Sequence, residues 1–218
     1  AKSLTYNAKS QTTTIVVNGK TLTLNKDFKV VSGSLKATKA GTYTVKIKGI
    51  GNYSGDTTVK YTVNAQQSYK ATAAAKTYNA KNQTTKVTVK YGNTVLKRGT
   101  DYKITGVTKA KNAGKYKITV KGINNYKGTK TIYYTINKAA QKSVKVKVNA
   151  SKKKITVSGV KAKAKVTYKS ANKKVKVKNG KITVGKGVKK GTKVRITVKV
   201  AATKNYKAYS KSIIYKVK

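Results

Sequence analysis

The chain has 218 residues, with 52 Lys plus Arg against three acids, a formal charge of +49, and no Cys, His, Pro, Met or Trp. That composition excludes disulfides, thiolate or imidazole metal ligation and histidine acid–base chemistry. Apolar residues make up 38%, enough for a core, and no apolar run approaches the roughly 20 residues of a membrane-spanning helix.

The first feature along the chain is a repeat. Residues 5–17 read TYNAKSQTTTIVV, and residues 77–89 read TYNAKNQTTKVTV. Residues 40–55, AGTYTVKIKGIGNYSG, match residues 113–128, AGKYKITVKGINNYKG, and the closing stretches 57–64 and 130–137 match as well. Within the first copy, Tyr43, Val45 and Ile47 alternate with Thr44, Lys46 and Lys48. Val59, Tyr61 and Val63 alternate in the same way with Lys60 and Thr62. Period two is the mark of strands with one buried face. Asn18-Gly19, the glycines at 49–51, Asn179-Gly180 and the glycine-rich stretch 185–191 predict turns. No segment carries a 3.6-residue period.

A divergent third unit begins near Ala139. Its end, NYKAYSKSIIYKVK at 205–218, resembles NYKGTKTIYYTIN at 125–137. Val144, Val146 and Val148 are predicted to point inward, which turns Lys145 and Lys147 outward. Lys152, Lys153 and Lys154 follow in a row. Lys161, Lys163 and Lys165 flank Ala162 and Ala164, and Lys174, Lys176 and Lys178 surround Val175 and Val177. Lys189 and Lys190 precede a last alternation, in which Lys193, Arg195, Thr197 and Lys199 separate Val194, Ile196, Val198 and Val200. The pattern predicts an all-β protein of three tandem small β-sandwiches, at 1–66, 67–138 and 139–218. The joins near Gln66-Gln67 and Ala139-Ala140 are short, which predicts an elongated, monomeric rod within a longer repeat protein.

These residues resemble the immunoglobulin-like repeats of Gram-positive bacterial surface proteins. The shared pattern is an Asp-aromatic turn (Asp27-Phe28; Asp101-Tyr102), then Ala-Gly-x-Tyr, an alternating strand, Gly-x-x-Asn-Tyr-x-Gly and a closing strand. Residues 169–184, KSANKKVKVKNGKITV, are similar to a stretch of bacterial Ig-like (Big) domains. The resemblance implies immunoglobulin-like sandwiches in stalks or adhesins on a bacterial cell surface, with the anchor outside this sequence. It also raises a Lys–Asn isopeptide crosslink assisted by Asp27 or Asp101, against the plainer reading that each caps its own turn.

Charge rises along the chain. Residues 1–66 carry +8, residues 67–138 carry +15 and residues 139–218, with no acid, carry +26. Positive charge of one sign points to a negative partner. Lysine, at 50 residues against two arginines, favours broad attraction over bidentate recognition. The candidate polyanion-binding residues are Lys145, Lys147, Lys152, Lys153, Lys154, Lys161, Lys163, Lys165, Lys174, Lys176, Lys178, Lys189, Lys190, Lys193 and Arg195. Paired carboxylates are lacking, since Asp27 and Asp101 occupy matching places in separate repeats and Asp56 falls in a polar turn. No enzyme, cofactor or metal site is expected.

The expected function is therefore extracellular adhesion to anionic cell surfaces, glycans or abiotic surfaces. Alternatives are an extracellular binder of DNA, RNA or other polyanions, and a passive stalk. A chain engineered for charge would share this composition. The tyrosines after Asn at 53, 126 and 206 suit either hairpin capping or, on a basic surface, stacking with single-stranded nucleic acid.

Overall fold

A computed structural model describes residues 1–218, and it is all-β apart from one 3-10 turn at Lys161–Lys163. By packing, the chain divides into two compact units. One comprises Ala1–Ala74, Lys86–Thr108 and Tyr116–Tyr134, and the other Ala75–Thr85, Lys109–Lys115 and Thr135–Lys218.

In the first unit, residues 1–66 form a small sandwich. One layer has the strand order Leu4–Thr5, Asp56–Asn64, Gly41–Gly49, Phe28–Ser32. The predicted alternation fixes its buried face: Val45, Ile47, Tyr61 and Val63 are buried, and Tyr43 and Val59 pack beside them. The facing layer comes from the hairpin Ile15–Val17 with Lys20–Leu22 and the pair Gln11–Thr12 with Lys36–Ala37. It contributes Ile15, Leu22 and Ala37 to the same core. Asn18 and Gly19 take φ of 47° and 78°, as a two-residue type I′ hairpin needs to match strand twist.

The second repeat reproduces this topology, with the order Lys76–Thr77, Thr129–Asn137, Gly114–Gly122, Tyr102–Gly106. Its opposite layer differs. Val87–Tyr91 pairs with Thr94–Val95 on one side and with Lys70–Ala73 on the other, giving three strands where the first repeat has two.

Residues 139–218, in the second unit, form a larger sandwich. One layer runs Lys145–Asn149, Lys154–Ser158, Lys181–Val184, Val175–Lys178, and the other Val166–Ser170, Lys193–Val200, Tyr209–Lys216. Val144, Val146, Ile155, Val175 and Ile182 meet Val194, Ile196, Val198, Val200 and Tyr215 in one core. At roughly 25 cal/mol per Å2 of apolar burial, each of these side chains stabilises the fold by about 1.5–3 kcal/mol.

The two joins between repeats use one device. In the first unit Gln66 bridges Tyr126: its N–H donates to the Asn125 carbonyl and its carbonyl accepts from Lys127 N–H, both at 2.9 Å. The Asn125 side-chain oxygen accepts from Ala40 N–H at 2.9 Å, and Tyr6 packs edge-on against Tyr126 at 5.6 Å. In the second unit Ala139 bridges Tyr206, Asn205 Oδ1 accepts from Ala113 N–H at 2.8 Å, and Tyr78 meets Tyr206 edge-on at 5.4 Å. The tyrosines after Asn at 126 and 206 are therefore joining residues. Tyr126 is 4% exposed, which leaves no face for a base to stack on.

Candidate functional site

Every predicted polyanion-binding residue, from Lys145 to Arg195, is exposed. Their arrangement decides which can act together. Alternation sends Val146, Ile155 and Ile182 into the core, so Lys145, Lys147, Lys154 and Lys181 stand on the outer face of their sheet. In this sheet Lys154 lies directly opposite Lys181, and Lys181 directly opposite Lys178. Three lysines thus form one row across three neighbouring strands. Opposed side chains start about 4.5–5.5 Å apart at Cβ. Two unit charges ~5 Å apart in water repel by about 0.8 kcal/mol before screening.

Two turns extend the row. Lys152 and Lys153 lie in the hairpin after Asn149, held by a bond from Lys152 N–H to Asn149 Oδ1 at 3.0 Å. Lys153 has φ of 46°. Ile182 N–H donates to the Lys153 carbonyl at 2.8 Å, and Ile155 N–H to the Gly180 carbonyl at 2.7 Å. These bonds tie that turn to the Asn179-Gly180 turn. Lys152, Lys153, Lys154, Lys178 and Lys181 therefore gather at the middle of the sheet, where the tips of the two hairpins meet. Lys181 is the member that the sequence reading missed. The signal was present: a two-residue Asn-Gly hairpin places the residue before it opposite the residue after it.

The remaining candidates separate. Lys145, Lys147 and Lys176 share the outer face, opposite Ser158, Thr156 and Thr183. Lys174 is in the preceding turn, its N–H on Asn172 Oδ1 at 2.9 Å. Lys193 and Arg195 stand on the other sheet, opposite Lys216 and Ile214, so they do not join the row. Lys189 and Lys190 lie in the loop that leads to that strand. Lys161 and Lys163 are not on a strand as expected. They lie in the 3-10 turn, where Ala162 and Lys163 have φ of 55° and 48°, and Gln141 Oε1 accepts from Lys161 N–H at 3.0 Å. Lys165 follows that turn.

The acids lie elsewhere and have local tasks. Asp27 Oδ2 accepts from Thr23 N–H at 2.8 Å and Asp101 Oδ2 from Lys97 N–H at 2.7 Å, which is the turn-capping role. Asp56 begins a strand rather than lying in a turn, 3.9 Å from the Lys46 ammonium. Both partners are about half exposed, so the pair adds little.

No protein-family model matches the chain, and no curated protein matches it. Among solved structures it is similar to protocadherin gamma B7 extracellular cadherin domains 1–4 in a P21 crystal form, at 9% identity and a TM-score of 0.24. The match covers 96% of this chain and spans 66% of the length of that one. No helix of the structure is long and apolar enough to cross a membrane.

Proposed function

We propose that the chain is part of a polycationic adhesin of a bacterial cell surface. On this reading its sandwiches are immunoglobulin-like modules of the Big type, and residues 139–218 hold anionic surfaces by electrostatic attraction. The reading is non-catalytic. One observation carries it: Lys154, Lys181 and Lys178 stand in line across three strands in a module with no acid to neutralise them. Such a row is unfavourable alone and favourable against a polyanion, which relieves the repulsion and releases its own counterions.

The test is retention of the full chain on anionic and neutral phospholipid vesicles, across salt, with K154Q/K178Q/K181Q alongside. Retention on anionic vesicles should collapse as salt rises, and the triple variant should need less salt for release. Retention that ignores salt, or a triple variant released at the same salt, would overturn the mechanism. Duplex DNA added as a competitor separates the nucleic-acid reading. If DNA strips the chain from vesicles at equal phosphate concentration and physiological salt, DNA becomes the better ligand.

A further inference from the structure

Residues 139–218 display two charged faces. Their two layers bury their inner faces in a single core, so the outer faces point in opposite directions. One face carries the row of Lys154, Lys181 and Lys178, with Lys145, Lys147 and Lys176 beside it. The other carries Lys169, Lys193, Arg195, Lys199 and Lys216, all exposed. Val194, Ile196, Val198 and Tyr215 alternate with these along the strands and are buried, which turns the cations outward. No acid stands on either face.

The second face is organised differently from the first. Lys199 lies between Thr167 and Ser210, Lys169 lies opposite Thr197, and Arg195 opposite Ile214. The Thr197 and Ser212 hydroxyls share a hydrogen bond of 3.0 Å. Lys193 alone meets another cation directly, Lys216. Cations set opposite hydroxyls repel one another less than the opposed lysines of the row. The hydroxyls also add donors for phosphate, sulfate or carboxylate oxygens beside the charges.

The two faces are electrically separate. Packed sheets lie about 10 Å apart, and the outward stems put the two planes of cationic groups on the order of 20 Å apart. That is more than two Debye lengths, at ~8 Å each in physiological salt. A polyanion on one face therefore leaves the cations of the other unneutralised. A flat partner cannot wrap round the module to reach them.

We infer that residues 139–218 bridge two anionic surfaces, one held on each sheet. The inference rests on the adhesive reading above and adds an activity to it: bound chains draw anionic bodies together. The row holds one surface, and the face of Lys169, Arg195 and Lys199 holds the other.

The test mixes the full chain with an excess of anionic phospholipid vesicles at physiological salt. Coverage is kept well below charge neutrality, where clustering needs a bridge. Co-sedimentation reads binding, and light scattering reads clustering. K154Q/K178Q/K181Q empties the row, and K169Q/R195Q/K199Q empties the opposite face. K29Q/K48Q/K60Q removes the same charge from the first repeat, and thermal melting checks that every variant is folded. At equal bound protein, clustering should fall by about tenfold in each face variant, because a bridge needs both engagements. The first-repeat variant should cluster vesicles as the parent does. Equal clustering by the parent and both face variants overturns the proposal, as does an equal fall in all three variants. A fall in one face variant alone overturns the two-faced assignment. A parent that fails to sediment with anionic vesicles overturns the adhesive reading itself, an outcome read before any clustering is compared.

Discussion

Lys181 has like charges on both sides, and replacing it gives a stability change of predictable sign. In Lys181→Gln two cross-strand repulsions vanish, from Lys154 and from Lys178. With ammonium groups ~5–8 Å apart and a Debye length of ~8 Å at physiological salt, the two together come to about 0.4–0.9 kcal/mol. At 0.01 M salt the same sum rises to about 0.8–1.4 kcal/mol, and at 1 M it falls below about 0.3 kcal/mol. Lys181→Gln should therefore be more stable than the parent. Its melting temperature should be higher by a few degrees in dilute buffer, with the gap closing as salt is added. Differential scanning calorimetry at three salt concentrations measures this directly. The same variant should hold anionic vesicles less tightly, so stability and affinity move in opposite directions. A gain that persists unchanged at 1 M salt, or a loss of stability in dilute buffer, would refute the electrostatic account of the row.

Three further outcomes test separate parts of the structure. Gly159 has φ of +72°, and a Cβ there would run into the Ser143 carbonyl, whereas Gly191, at +89°, has nothing within 4 Å. Gly159→Ala should cost at least about 2 kcal/mol and Gly191→Ala about 1 kcal/mol, read from urea midpoints. Asp101→Ala removes the carboxylate that caps Lys97 N–H and should cost about 1 kcal/mol, with the affinity for vesicles unchanged. The Tyr126 hydroxyl is pushed from 10.0 up to about 12, chiefly by burial and then by Tyr6 and Asp101. The folded state keeps this proton longer than the unfolded state does. The stabilisation is complete below pH ~10 and is lost as pH climbs from about 10 through about 12. Tyr126→Phe should lack that alkaline limb in tyrosinate absorbance and in stability, and an identical limb would contradict the assignment.

Alternation made much of this legible in advance. The inward positions Val146, Val175, Val194, Ile196, Val198 and Val200 were readable because strand side chains have period two and one face of each sandwich layer is apolar. Period two does not say which sheet a strand joins. Lys193 and Arg195 carry the same alternation as Lys176, and yet they stand on the other layer. The same rule misplaced Lys161 and Lys163, because left-handed backbone at Ala162 and Lys163 breaks the strand and composition alone gives no sign of it. Lys181 was hidden for a different reason: its neighbours are set by pairing between hairpins. The difference between the first two repeats lay outside the matched text, since the similarity starts at Thr5 and Thr77 and the covering strand Lys70–Ala73 comes earlier.

The joins at Gln66–Tyr126 and Ala139–Tyr206 are made of peptide groups, asparagine amides and tyrosine edges. None of the bonds in them uses a lysine side chain. Mutations that load or unload charge on a module's outer face therefore leave the couplings untouched. A gradient from +8 to +26 along one chain is then open to drift and selection, module by module, with the means of connection held constant.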